Sequence, residues 1–157
     1  MSYPDFESAD FLKAHICTIL DFYAPHAFDE RGGFFHHFLD DGTIYDADTR
    51  HLVSSTRFVF NYVNAYFQTG DKRYQEWAEH GFAFLEQHRH GTDGHYIWQL
   101  RAGKIEDGRA MAYGHAFVLL ASACAWRLNV SGAKQTLYEV YDFMEKQFWE
   151  AEHNAYA

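Results

Sequence analysis

Apolar positions in this chain fall into two alternating patterns. Over residues 9–23, Leu12, Ile16, Ile19, Leu20 and Tyr23 recur every three or four places, the period of a helix with one buried face. Ser8 is its expected N-cap and Pro25 its stop. The next segment, HLVSSTRFVFNYVNAYF, is apolar on nearly every side, which predicts a helix buried all round, ending at Gly70. The one-sided pattern then returns through Tyr74, Trp77, Ala78, Phe82 and Leu85, from Asp71 to about His88. The all-round pattern returns in RAMAYGHAFVLLASACAWRL, residues 109–128. A fifth helix, about 132–149, is one-sided again through Leu137, Val140, Tyr141, Met144 and Phe148.

Between the helices lie strand signals. GGFFHHFLDDGTIYD reads as two short strands turning at Asp41-Gly42, and HYIWQLRAGKIED as a hairpin turning at Ala102-Gly103. Phe35, Tyr96 and Tyr156 open successive hairpins, 61 and 60 residues apart, with Gly42 matching Gly103 and Asp46 matching Asp107. The chain is therefore an internal repeat of about 60 residues, each unit supplying one one-sided and one all-round helix. One-sided helices form an outer layer against solvent, and all-round helices an inner layer buried on both sides. The expected fold is all-α, an (α/α)6 barrel or toroid of helical hairpins with short β-hairpins between the helices. Six units would need roughly 360 residues at this period. Residues 1–157 are thus expected to form a single partial toroid domain, the amino-terminal portion of a larger barrel with its first two to two and a half repeats. A compact orthogonal bundle is the alternative for this length. An uncovered inner layer would expose apolar patches and favour association, so a homo-oligomer is possible.

Composition narrows the partners. A net charge of −9, from 13 Lys+Arg against 22 Asp+Glu, disfavours nucleic acid and anionic membrane surfaces. Aromatic residues make up 19% of the chain, which suits either a packed core or amphipathic ligands such as sugars. Cys17 and Cys124 read as buried reduced thiols in apolar helices, the amino terminus resembles no signal peptide, and the apolar stretch 116–125 is about half a membrane span. A cytoplasmic location is expected.

Polar residues on the two all-round helices carry the functional signal, because a cation or imidazole there needs a partner or a hollow. Ser54, Arg57, Asn61 and Asn64 fall on one stripe of the first. Facing a cavity, Arg57 and Asn61 would donate to hydroxyls or to a developing oxyanion. The bland alternative pairs Arg57 with Asp46 or Asp48. On the second helix, Tyr113 offers a hydroxyl to the cavity. Aligning SSTRFVF with AYGHAFV sets His115 opposite Arg57, as an acid, a base or simply a hydrogen-bonded structural residue. Trp98 on the second hairpin is either a sugar platform or loop packing. His36 and His37 alternate strand faces, and His88 and His90 have no acid or cysteine at ligand spacing, so no metal site is expected. No phosphate loop or GxSxG motif is present, and no cofactor is expected.

Three segments, GGFFHHFLDDG, TRHLVSSTRFVFNYVNAY and AYGHAFVLLASA, resemble the N-acylglucosamine 2-epimerase superfamily, most closely its mannose isomerase branch. The resemblance implies an (α/α)6 barrel that isomerises or epimerises an open-chain sugar without a metal, through a cis-enediolate. It implies that Arg57 binds sugar oxygens and steadies the enediolate, and that Tyr113 contacts the sugar. This chain has Val53 where members often carry Trp. The acid/base histidines are expected in later repeats, outside this chain, so these residues alone are expected to be inactive. Mannose to fructose is the favoured reaction. The alternatives are a sugar 2-epimerase, an α/α-toroid glycoside hydrolase, which needs two carboxylates across the cavity, and a non-catalytic interaction protein.

Overall fold

The computed structural model describes residues 3–90 and 93–157. Its helices are α1 (Ala9–Tyr23), α2 (Leu52–Thr69), α3 (Lys72–Leu85), α4 (Ala112–Arg127) and α5 (Ala133–Gln147). Local chemistry sets their ends. The Ser8 hydroxyl accepts from the Phe11 N–H at 3.3 Å and the Asp71 carboxylate from the Arg73 N–H at 2.9 Å, each satisfying a first-turn donor. Gly70, at φ 73°, takes the left-handed conformation that stops α2.

The inner helices α2 and α4 pack side by side, with α3 outside α2 and α5 outside α4. Leu52, Val59, Tyr62, Val63, Val118, Ala121 and Ala125 fill the space between the layers. Gly81 lets α3 approach closely: a Cβ there would sit 2.6 Å from the Phe34 ring and 3.1 Å from Val59. The result is an open arc of helical hairpins, an α/α-toroid wall of two units and the start of a third, with no closed barrel among the described residues. One expectation fails. Of the predicted buried face of α1 only Leu20 is buried, while Leu12, Ile16 and Ile19 are exposed, and Cys17, expected to be buried as Cys124 is, is exposed with them. The helix meets the core through its last turn, where Tyr23 sets its ring edge on Phe58. An apolar cavity of about 360 Å³ separates the rest of it from α2.

The strands sit at one end of the helices. β1 (His37–Phe38) pairs with β2 (Ile44–Asp46), and β3 (Thr49–His51) joins β4 (Arg89–His90), β5 (His95–Arg101) and β6 (Lys104–Ala110) around β5. Ala102 and Gly103 both take positive φ at the predicted turn, 47° and 71°. The repeat is visible in the backbone register. Arg89 faces Tyr96 and His90 faces His95; sixty residues on, in β7 (Trp149–Glu150) and β8 (Ala155–Tyr156), Trp149 faces Tyr156 and Glu150 faces Ala155. In the first unit the equivalent bridge joins Phe28 to Phe34.

The strand end is pinned by a buried ion pair. Arg50 Nη2 lies 2.6 Å from Asp29 Oδ2, both residues 5% exposed, and Arg50 Nη1 donates to the carbonyls of Ala47 and Thr49 at 3.0 Å. Arg31 adds two further bonds to Asp29 at 3.0 Å. Burial raises the Asp29 pKa, but the bonds from Arg31 and Arg50 outweigh it and leave the carboxyl below its ordinary value.

Candidate functional site

Of the polar stripe on α2, Arg57 lies toward α4, while Asn61 and Asn64 line the cavity between α1 and α2. Arg57 and Asn61 are exposed, Ser54 and Asn64 half-buried, and Asn64 bonds back to the Phe60 carbonyl at 2.7 Å. Arg57 pairs with no carboxylate among the described residues; its guanidinium lies over the Phe117 ring at 5.0 Å. The acids that the sequence offered as partners are engaged elsewhere or distant. Asp46 accepts from the Thr49 hydroxyl at 2.7 Å and faces Arg101 at 3.6 Å, and Asp48 forms no bond with Arg57. The Asp46 carboxyl is held well below its usual range by its bonds from Thr49.

From α4, Tyr113 stands 55% exposed with its ring edge 5.0 Å from Phe117, so Arg57, Phe117 and Tyr113 form one continuous surface. The strand end extends it. Trp98 of β5 packs on the bare Cα of Gly114, where a Cβ would come within 3.3 Å of the indole. His51 stands edge to face with Trp98 at 4.3 Å and caps α2 by accepting the Val53 N–H on Nδ1 at 3.2 Å. Burial first, then the nearby His37 and Arg57, lower the His51 pKa, against a pull from Asp107, so the ring is neutral near pH 7. The whole makes a wall with one free cation, a phenol, amide and hydroxyl groups, an indole and a neutral imidazole. It can bind and orient a polyol and stabilise an oxyanion. Its described residues supply no carboxylate on α2 or α4 and no cluster of metal-binding side chains.

His115 does not join this wall. It is 0% exposed and stacks on Phe143 at 4.8 Å. Its Nε2 accepts the Tyr96 N–H at 3.0 Å, which leaves the proton on Nδ1, donated to the Met111 carbonyl at 2.8 Å. Both nitrogens are used, and burial depresses the pKa. The expectation that it contacts substrate is corrected here, and so is its pairing with Arg57. Matching burial along the two inner helices shifts the alignment by one residue. Val59 matches Val118, Thr56 matches His115, and Arg57 falls opposite exposed Ala116. One residue on a helix is about 100° of rotation, enough to turn a side chain from hollow to core.

Sequence reasoning weighed His36 and His88 only as metal ligands and missed their structural bonds. The His36 Nδ1 accepts the His51 N–H at 3.1 Å, and its ring stacks on Phe58. His88, fully buried, links the Ser55 hydroxyl at 3.2 Å to the Ile97 carbonyl at 3.3 Å. No spacing motif marks these residues, since their partners are backbone groups and hydroxyls rather than one another.

A D-mannose isomerase of Marinomonas mediterranea is 45% identical over 156 residues, covering 99% of this chain. A cellobiose 2-epimerase of Eubacterium cellulosolvens is 30% identical over 105 residues, 66% of this chain and 26% of its own length. A crystal structure of a D-mannose isomerase superposes with a TM-score of 0.93 at 44% identity, again over 99% of this chain. The chain spans 40% of the length of each of these two isomerases. No helix among the described residues is long and apolar enough to cross a membrane. The model of the N-acylglucosamine 2-epimerase (GlcNAc 2-epimerase) family matches residues 33–157, and the chain belongs to that family.

Proposed function

We propose that this chain supplies one wall of the active site of an aldose–ketose isomerase, with mannose to fructose as the favoured reaction. The observation that carries the reading is Arg57, a guanidinium without a carboxylate partner among the described residues, held over Phe117 beside Tyr113 on an exposed face. An open-chain aldose bound there loses its C2 proton to a base and forms a cis-enediolate. The Arg57 guanidinium, rather than a metal, meets the negative charge on the enediolate oxygens, while Asn61 and Tyr113 bind hydroxyls. A proton delivered to C1, with the O2 proton passing to O1, gives the ketose, so atoms balance without a cofactor. As the family resemblance implies, the acid and base are taken to be histidines of later repeats; His115 cannot serve, being committed to Tyr96 and Met111. The 157 residues alone are therefore inactive. A cytoplasmic location suits the two free thiols.

A second reading follows from the cellobiose 2-epimerase relative: proton return to the opposite face of C2 gives the epimer. Solvent deuterium at C1 marks the isomerase and at C2 the epimerase. A hydrolase reading is weakened by the lack of any acid on α2 or α4.

The test replaces the matched segment of the Marinomonas mediterranea isomerase with this chain and follows fructose formation from mannose. Turnover is expected, and Arg57→Ala is expected to cut kcat/KM by roughly a hundredfold or more while leaving the melting temperature nearly unchanged, because Arg57 is exposed. A folded chimera with no turnover on mannose or lyxose, or full activity with Arg57→Ala, would overturn the reading.

A further inference from the structure

We propose that His51 is a further substrate-binding residue, whose Nε2–H donates to a sugar hydroxyl at the strand end of the Arg57–Tyr113 wall, with Trp98 as its positioning residue. The inference rests on the sugar-site reading and deepens it. Three observations fix the chemistry. Nδ1 accepts the Val53 N–H at 3.2 Å, so a neutral ring must carry its proton on Nε2. Among the described residues Nε2 has no hydrogen-bond partner, and unlike the Nε2 atoms of His36 and His37 it is not shut away from solvent. The ring cannot swing freely, because it abuts Trp98 at 4.3 Å with an interplanar angle of 75° and Trp98 is wedged against Gly114.

The groups facing the ring are His37, Arg57, Asp107 and Trp98. Burial, helped by the first two, keeps the imidazole neutral, so it presents a donor of fixed direction without a second positive charge. Among the described residues Arg57 therefore remains the one cation on this wall. A donor of this kind suits a hydroxyl of the ligand remote from the developing charge, whereas Arg57 suits the charge itself. His51 also continues the α2 stripe by one step, three residues before Ser54.

Two measurements on the 157-residue chain test this. Long-range proton–nitrogen correlation at pH 7 reads the tautomer directly: Nε2–H is expected, and an Nδ1–H ring overturns the inference whatever the sugar result. D-mannitol, an open-chain hexitol that cannot isomerise, is then titrated into wild type, His51→Asn and Arg57→Ala. Asparagine is itself a good N-cap, so helix α2 stays capped and melting is expected to be unchanged. Loss of one neutral hydrogen bond is expected to weaken mannitol binding by roughly fivefold to tenfold in His51→Asn. If His51→Asn binds like wild type while Arg57→Ala does not, the His51 role is wrong and the sugar site stands. If wild type gives no saturable response, both fall.

Discussion

Replacing His88 by glutamine should make the protein less sensitive to acid. His88 is fully buried and hydrogen-bonded on both nitrogens, one to Ser55 and one to Ile97, and burial lowers its pKa from 6.5 to about 4. In the unfolded chain the same imidazole binds a proton near pH 6.5. Between those values the unfolded state holds one more proton than the native state, so native stability is intact above pH 6.5 and declines as pH falls toward 4. The full interval corresponds to about 3 kcal/mol, and at pH 5 about 2 kcal/mol of it is already lost. His36, lowered to about 2 by burial and by neighbouring Arg50, titrates in the same sense and adds a further ~2 kcal/mol of loss at pH 5. The assay is urea unfolding at pH 7.5 and pH 5, with the loss between them compared in wild type and His88→Gln. The variant's baseline stability is lower, but the difference between the two pH values removes that term. Its loss is expected to be smaller than wild type's by about 2 kcal/mol. Equal losses in the two proteins would refute the claim that a neutral, buried His88 resists protonation in the native state.

Two other substitutions probe how the strand end and the layers are held. Asp29→Asn removes the charge that Arg50 meets at 2.6 Å and leaves a buried guanidinium against carbonyls alone, so unfolding free energy should fall by about 3–5 kcal/mol in chemical denaturation. Gly81→Ala places a methyl 2.6 Å from the Phe34 ring at the α2–α3 contact, and should destabilise by about 1–3 kcal/mol despite alanine's better helix propensity; a stabilised variant would show that α3 can move outward freely.

Most of the fold was legible because it is periodic. The two helix patterns, the 60-residue spacing, the caps at Ser8, Asp71 and Gly70 and the turn at Ala102-Gly103 are local signals, and each reappears in the structure. The α2 stripe was legible for the same reason. What escaped detection has no period. The Asp29–Arg50 pair joins a loop position to one in β3, 21 residues apart, and only the folded strand end brings them together. His51 looked like any histidine before a helix, since a side-chain cap by imidazole has no motif. The exposed face of α1 was misread for a different cause: amphipathic spacing states that a face wants burial, not that a neighbour is present to bury it.

The one-residue misalignment of the inner helices explains why His115 and Arg57 looked like counterparts. In the register set by burial, Thr56 and His115 do the same job at the same depth, each bonding back to a carbonyl in the preceding turn, that of Val53 at 2.8 Å and of Met111 at 2.8 Å. The half-buried pair Phe58 and Phe117 and the fully buried pair Val59 and Val118 likewise repeat. On the exposed side Ser54 stands in the place of Tyr113, Arg57 of Ala116 and Asn61 of Leu120; on the packed side the residues also change, Tyr62 to Ala121 and Ser55 to Gly114, but burial is kept at each. The packing face must meet the same outer-helix geometry twice, which restricts it. The open face is under no such packing constraint, so chemistry can differ there between repeats at little cost to stability. A polar residue buried in both repeats is thus an anchor, and one exposed in a single repeat, as Arg57 is, points to function.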